Sequence, residues 1–310
     1  MGGGWGHLHA EYGLAIDNLI AVDVVTADGG LLTASASENG DLFWGVRGSS
    51  GNLGIVSSLE YRLHELGPVL GGAIFHPIAK AGEVLRLFRE FADGIPDHLV
   101  IQAAALNLPD GAPVFAVAAC YCGGLSEGEK LLKPLRAFGA PLGDILQPRS
   151  YVDTQSLFDP FFPPGRYTYV KSNFVRSLDD DVTETMTEYA NSRPFPYSSA
   201  PAIEHWHGAA TRVAVTDTAF PHRQSSYNFM AWSNWADPQD SEKNIRWTRE
   251  FWNAMGRSLV AGSYVNYISD EGEAAARAAY GPNYDRLVAL KNKYDPTNFF
   301  RMIHNILPAP

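Results

Sequence analysis

Residues 280–301 read YGPNYDRLVALKNKYDPTNFFR, and the fold is read outward from them. Apolar and aromatic positions at helical spacing predict a helix over 284–294. Asp295-Pro296 ends it, because a residue before proline avoids the helical region. Just upstream, Tyr264-Val265-Asn266-Tyr267 predicts a short strand over 264–268. Further back, strands are expected near 69–76, 98–106, 113–122, 166–175, 200–207, 211–216 and 226–235. Helices are expected over 79–92, near 179–191 and 240–256, and after a capping box of Ser126 with Glu129. Strands and helices without strict βαβ alternation indicate an α+β fold, an antiparallel sheet covered by helices. The first 68 residues differ in character. A strand over 19–27, the turn Asp28-Gly29-Gly30 and a return over 31–35 predict a hairpin. A short helix over 39–46 with Asn39 as N-cap, a glycine-rich loop over 47–54 and a strand over 55–63 follow.

Composition excludes several function classes. The 310 residues carry a net charge of −10, so a nucleic-acid partner, which needs clustered Lys and Arg, is not expected. Apolar runs such as 112–122 fall short of the roughly 20 residues of a membrane helix. No basic-then-apolar leader opens the chain, and the two cysteines, Cys120 and Cys122, share a strand face with Cα atoms about 6.6 Å apart. That spacing is the outer limit for a disulfide, so buried thiols in a reducing, cytoplasmic setting are expected.

Taken singly, the candidate sites stay open. The glycines Gly2, Gly3, Gly4 and Gly6 fit neither a dinucleotide fingerprint nor a phosphate loop, and serve a tight turn as readily as a ligand. The glycines of 48–54 allow close backbone approach but equally suit a loop. His7/His9 and His205/His207 each place two imidazoles on one strand face, yet no third ligand stands at a recognisable spacing, so no metal is expected. Tyr264, Asn266 and Tyr267 suit a substrate pocket or plain aromatic packing. No nucleophile elbow is present.

Read in order, GGGWGHLHAEYGLAIDNL (2–19), VVTADGGLLTAS (24–35), DLFWGVRGSSGNLGIVSSLEYRLH (41–64), AFPHR (219–223), YVNY (264–267) and the 280–301 segment resemble the berberine bridge enzyme-like family of FAD-linked oxidases. That family lies within the vanillyl-alcohol-oxidase/PCMH flavoprotein superfamily, and the resemblance is to its bacterial branch. It implies a partial PCMH-type FAD-binding domain built from both chain ends, with an inserted antiparallel-sheet substrate domain covered by helices. Residues 1–68 would be the second half of the FAD domain, 69–256 the substrate domain, and 257–310 the returning C-terminal segment. Family members carry a preceding lobe that grips the pyrophosphate. Met1 falls inside a continuous family motif, so a truncated chain is expected.

Carried over residue by residue, the resemblance places Gly2, Gly3, Gly4, Gly6 and Tyr12 around the flavin. Gly51, Asn52, Gly54, Ile55 and Val56 stand at the adenine end, and Asn266 and Asn305 near the cofactor. Tyr267 matches the position of the catalytic base in several members. Asn228 matches one often held by Glu or Gln; an amide there bonds substrate but removes no proton. Relatives usually read LNQN where this chain has Met302-Ile303-His304-Asn305, so Ile303 replaces a polar residue while Asn305 is retained. The implied reaction is hydride transfer from an alcohol, sugar or secondary-metabolite carbon to flavin N5, with oxygen as electron acceptor and a small-molecule substrate. FAD binding by this chain is expected to be weak or absent. The alternative is a binding-only remnant that keeps the substrate pocket without flavin chemistry.

Overall fold

The computed structural model describes residues 1–194, 199–224, 226–260, 262–268, 272–301 and 304–309. In chain order, α1 (His9–Tyr12) precedes the strands β1 (Leu19–Val25) and β2 (Leu31–Ser35), α2 (Gly40–Val46) and β3 (Ile55–Tyr61). Next come β4 (Val69–Pro77), α3 (Ala81–Ala92), β5 (Leu99–Asn107), β6 (Pro113–Tyr121) and α4 (Leu125–Ala137). After β7 (Gly143–Asp144) and β8 (Gln147–Arg149) stand α5 (Tyr151–Gln155), β9 (Tyr167–Val175), α6 (Asp180–Asn191) and β10 (Ala200–His205). The chain continues through α7 (Ala209–Arg212), β11 (Tyr227–Trp235), α8 (Ser241–Ala254), α9 (Glu273–Tyr280) and α10 (Tyr284–Tyr294). Helices beside antiparallel sheets make this an α+β fold, as the sequence predicts. Among the described residues no helix is long and apolar enough to cross a membrane.

The chain divides into two compact units. The first gathers Met1–His64, Gly208–Ser225 and Ala261–Pro310; the second holds Glu65–His207 and Ser226–Val260. The sequence suggested one uninterrupted span over 69–256, and the excursion over 208–225 departs from it. A buried ion pair explains the departure. Arg223, 1% exposed, donates from both terminal nitrogens to Asp17, at 2.8 and 2.7 Å, and also to the Ala210 carbonyl. Asn283 Nδ2 donates to the Val215 and Thr218 carbonyls, and Trp44 Nε1 to that of Thr216.

In the first unit β1 is the centre of a three-stranded antiparallel sheet in the order β2-β1-β3. The hairpin turn forms as the sequence dictates: Gly29 takes φ 83°, and the Thr26 hydroxyl donates to Asp28. Leu287, Leu290 and Tyr294 of α10 pack with Leu42, Phe43, Trp44 and Val24 in this unit's core. The second unit is built on an eight-stranded antiparallel sheet in the order β7-β4-β6-β5-β10-β11-β9, with β8 paired to β4. One face, carrying Ile101, Ala103, Ile203, Phe229 and Ala231, packs on α3, α6 and α8 through Val84, Phe88, Val182, Met186, Trp247 and Phe251. This burial of facing apolar stripes is the main stabilising term.

Three local expectations are corrected. Helix α4 starts at Leu125 with Gly124 as its cap and no side-chain cap bond, because Leu125 packs against the core; Ser126 is therefore not a capping residue. The strand expected over 211–216 is replaced by the short α7. Gly208 (φ 66°) turns the chain where a side chain would strike the Ala10 backbone. The strand expected over 264–268 is one 3₁₀ turn, Val265–Tyr267. Asn39 does stand at the N-cap of α2, but with left-handed backbone; its amide bonds the Thr33 carbonyl instead of the helix. Cys120 is a buried thiol as expected, whereas Cys122 is half-buried and neither is in a disulfide; burial and then the neighbouring Cys122 push the Cys120 thiol up to about 12.

Candidate active site

In the first unit the glycine loop and the YVNY segment meet on one phenol. Tyr264, 2% exposed, receives the Gly4 N–H at 2.9 Å and the Trp5 N–H at 3.2 Å on its hydroxyl oxygen. The Asn266 amide lies 2.8 Å from the same atom. This recruitment explains the 3₁₀ turn, because residues three apart eclipse in that geometry. Tyr264 and Tyr267 consequently meet edge to face, with ring centroids 4.8 Å apart, where a strand would hold them on opposite faces. Gly2 and Gly3 are required here by protein atoms: a Cβ at Gly2 would overlap the Asn266 amide, and Gly3 (φ 141°) lies against the Tyr264 ring.

The other expected cofactor residues fall in separate places. Asn52 is fully buried. Its amide nitrogen donates to the Ser49 carbonyl (2.8 Å) and the His304 carbonyl (3.2 Å), and its oxygen accepts the Ile306 N–H (2.9 Å). The Asn52 side chain is thus a clamp on the C-terminal segment. Lys291, also fully buried, donates to the Asn52 carbonyl, to Asp295 and to the Phe300 carbonyl. Burial pushes the Asp295 carboxyl up, but the Lys291 bond and the Phe299 and Phe300 N–H groups outweigh it and hold the group below its ordinary range. Gly54 enters β3 where a side chain would strike Val24 and Val25. Ile55 is 59% exposed and Val56 packs on the core. Tyr12 stacks on His64 at 4.1 Å. Gly6 accepts a bond from the His9 ring at 2.9 Å, and Gly51 lies in the turn before β3. The Asn305 side-chain oxygen is buried without a partner. Met302 and Ile303, the departure from the family pattern, lie outside the described residues.

Asn228 belongs to the second unit, and the residue that sequence reasoning missed stands beside it. Asn228 on β11 pairs directly with Glu204 on β10, which pairs in turn with Gln102 on β5. The Asn228 amide donates to Glu204 Oε2 at 2.8 Å, and Trp206 Nε1 lies 3.5 Å from the same oxygen. Glu204 is 2% exposed and Asn228 0%, while the Asn228 oxygen has no partner. Strand alternation puts this polar row on the face away from the helix-packed core. A Glu inside the run 200–206, apolar apart from it and His205, is the signal that could have found it, since a buried carboxylate persists only when partnered.

The histidine pairs do other work. His205 stacks on His207 at 4.4 Å, and His207 Nε2 bonds the Leu99 carbonyl. Among the described residues no three His, Cys, Asp or Glu side chains gather to hold a metal ion.

Residues 263–307 match the family described as Berberine and berberine like. An FAD-linked oxidoreductase from Dictyostelium discoideum is 30% identical over 313 residues, covering 99% of this chain and 67% of that protein. The crystal structure of 6-hydroxy-D-nicotine oxidase from Arthrobacter nicotinovorans superposes with a TM-score of 0.88 at 28% identity, covering 99% of this chain and 70% of that one. A xylooligosaccharide oxidase from Myceliophthora thermophila, solved with xylobiose, gives 0.84 at 25% identity, covering 100% and 70%.

Proposed function

Because this chain belongs to the berberine bridge enzyme-like family of FAD-linked oxidoreductases, we propose that it oxidises a hydroxyl- or amine-bearing carbon of a small alcohol, sugar or secondary metabolite. Bound FAD would supply the two-electron acceptor, taking the hydride at N5 and passing the electrons to oxygen. The observation that carries the reading is the joining of the Gly4 and Trp5 N–H groups to Tyr264, with Tyr267 packed against that ring.

The residues present fit a polar heteroaromatic group in part. The orphaned Asn305 oxygen and the unpartnered Trp5 Nε1 are buried polar atoms suited to a ring with donors and acceptors on its edge. The buried cations of this unit are already committed, Arg223 to Asp17 and Lys291 to Asp295, so neither serves a diphosphate. FAD held by these residues alone is therefore weakly bound. Gly2, Gly3, Gly4, Gly6, Tyr12 and Asn266 would border the ring. Gly51, Gly54, Ile55 and Val56 would offer backbone to the adenine end, with Asn52 fixing that loop through its carbonyl and amide.

Tyr267 is assigned the proton from the substrate heteroatom. Glu204 is the second candidate, as the buried carboxylate of the polar row, while Asn228 orients the substrate and holds Glu204. Incubating the chain with FAD and recording its visible spectrum tests the redox reading. Bound-flavin bands that bleach with substrate support it. A chain that binds substrate yet never acquires those bands is the binding-only alternative.

A further inference from the structure

On the helix side of the larger sheet, where β10 ends and β11 begins, lies a cavity of about 610 Å³ lined entirely by the second unit. Two rings form its floor. His205 and Tyr227 are 7% and 8% exposed, with centroids 5.0 Å apart. Among the described residues the Tyr227 hydroxyl has no hydrogen-bond partner, although a phenol this deeply buried ordinarily finds one. Burial and then Asp93 raise the pKa of this phenol while Arg89 pulls it down, so a carboxylate and a guanidinium both act on it. Arg89 and Asp93 stand four residues apart at the end of α3, which makes them neighbours on the helix. They do not pair with each other. Arg89 Nη1 donates to the Leu178 carbonyl and to Asp180, both at 2.9 Å, which leaves Nη2 and Nε uncommitted. Glu90, Asp93 and the exposed Arg176 also line the cavity, and none of the three has an ion-pair partner among the described residues. Both carboxylates stand at the C-terminal end of a 12-residue helix, where the dipole disfavours anions. Their placement costs stability until a cation meets them.

We propose that this cavity binds a zwitterion of the α-amino-acid class, its carboxylate on Arg89 and Arg176, its ammonium on Asp93 and Glu90, and the Tyr227 hydroxyl bonded between them. Uncommitted groups of both signs decide the class. A multiply charged anion would meet the two carboxylates, and a polyamine would meet the two guanidiniums. A ligand with one charge of each sign satisfies all four. The free guanidinium nitrogens suit the two oxygens of a carboxylate. The phenol can donate to that carboxylate or accept from the ammonium. An α-amino acid holds its two charged groups on one carbon, a spacing that suits charges on adjacent turns of one helix. The cavity falls within the roughly 300–1,000 Å³ of small-molecule sites and leaves room for a bulky side chain against the His205 ring. No flavin takes part in this binding.

The test uses three probes on the full chain without flavin: L-phenylalanine, phenethylamine (no carboxylate) and 3-phenylpropionate (no ammonium). Calorimetry measures their binding. L-phenylalanine should bind at least about tenfold more tightly than either singly charged analogue. Asp93→Asn, at an exposed position, should keep the fold by circular dichroism. It should weaken L-phenylalanine by about tenfold and leave 3-phenylpropionate unchanged. Arg176→Gln should weaken L-phenylalanine and 3-phenylpropionate alike and leave phenethylamine unchanged. Tyr227→Phe, which removes only the hydroxyl, should weaken L-phenylalanine. Amide exchange with L-phenylalanine present should slow at the end of α3 and over residues 176–180. No saturable binding of L-phenylalanine, equal binding of the three probes, or unchanged L-phenylalanine binding in Asp93→Asn overturns the proposal. Because the readout needs no flavin, it stands or falls apart from the redox reading.

Discussion

Tyr267 and Glu204, proposed as alternative proton acceptors, belong to different units, and their surroundings differ. Tyr267 sits on a 3₁₀ turn tied to backbone N–H groups by its neighbour Tyr264. Glu204 is a buried carboxylate held by an amide on the adjacent strand. If Tyr267 takes the substrate proton, Tyr267→Phe in flavin-loaded enzyme lowers turnover by about 10²–10⁴, whereas Glu204→Gln changes it by less than tenfold. Stopped-flow measurement of flavin reduction in both variants decides, and a full effect in Glu204→Gln with none in Tyr267→Phe transfers the role. At this scale the sequence singled out YVNY, whose two tyrosines the fold does bring together. It was silent on Glu204, because pairing across three strands depends on register and not on spacing along the chain. It also said nothing of the Asn52 side chain, whose buried amide is turned to the C-terminal segment.

Among the elements, α10 shows what sequence reads well: apolar spacing and a proline stop give the helix and its end. The excursion over 208–225 shows what it reads poorly. Its attachment includes a bidentate ion pair between residues 206 apart, and no local propensity reports it. Removing one partner leaves a buried charge uncompensated, so Arg223→Met should destabilise the protein by about 3–5 kcal/mol. Arg223→Lys should recover only part of that, since an ammonium cannot make the two parallel bonds. Denaturant unfolding checks both, and a loss below about 1 kcal/mol in Arg223→Met would mean that the excursion is held by its backbone contacts instead. Asn52→Ala acts through another element. Freeing the Ile306 N–H and the His304 carbonyl should cost about 1–3 kcal/mol and raise amide exchange over residues 304–309, read by mass spectrometry.

For the whole molecule, acid should loosen the two units unequally. His222 in the first unit bonds the Ala279 carbonyl at 2.8 Å. Burial lowers its pKa from 6.5 to about 4, against the opposing pull of the Ala279 and Ser263 backbone. A folded value below the unfolded one means that the unfolded chain takes up the proton first. The stability this group contributes is complete above pH 6.5 and is lost as the pH falls towards about 4. The full span amounts to at most about 3 kcal/mol. Asp295 and Asp41, both held low, add losses of the same sign at still lower pH, and both lie in the first unit. The second unit has His76, lowered by burial and by Lys80, so the contrast is one of degree. Between pH 7 and 5, amide protection factors, with the intrinsic pH dependence of exchange divided out, should therefore fall more in α9, α10 and β1 than in β5, β6 and β11. His222→Gln, which keeps a donor for Ala279 but carries no titrating charge, should flatten the pH dependence of the melting temperature over that interval. Equal loss of protection in both units, or an unchanged slope in His222→Gln, would show that the acid response comes from groups spread over the surface, since a histidine that never titrates contributes no slope at all.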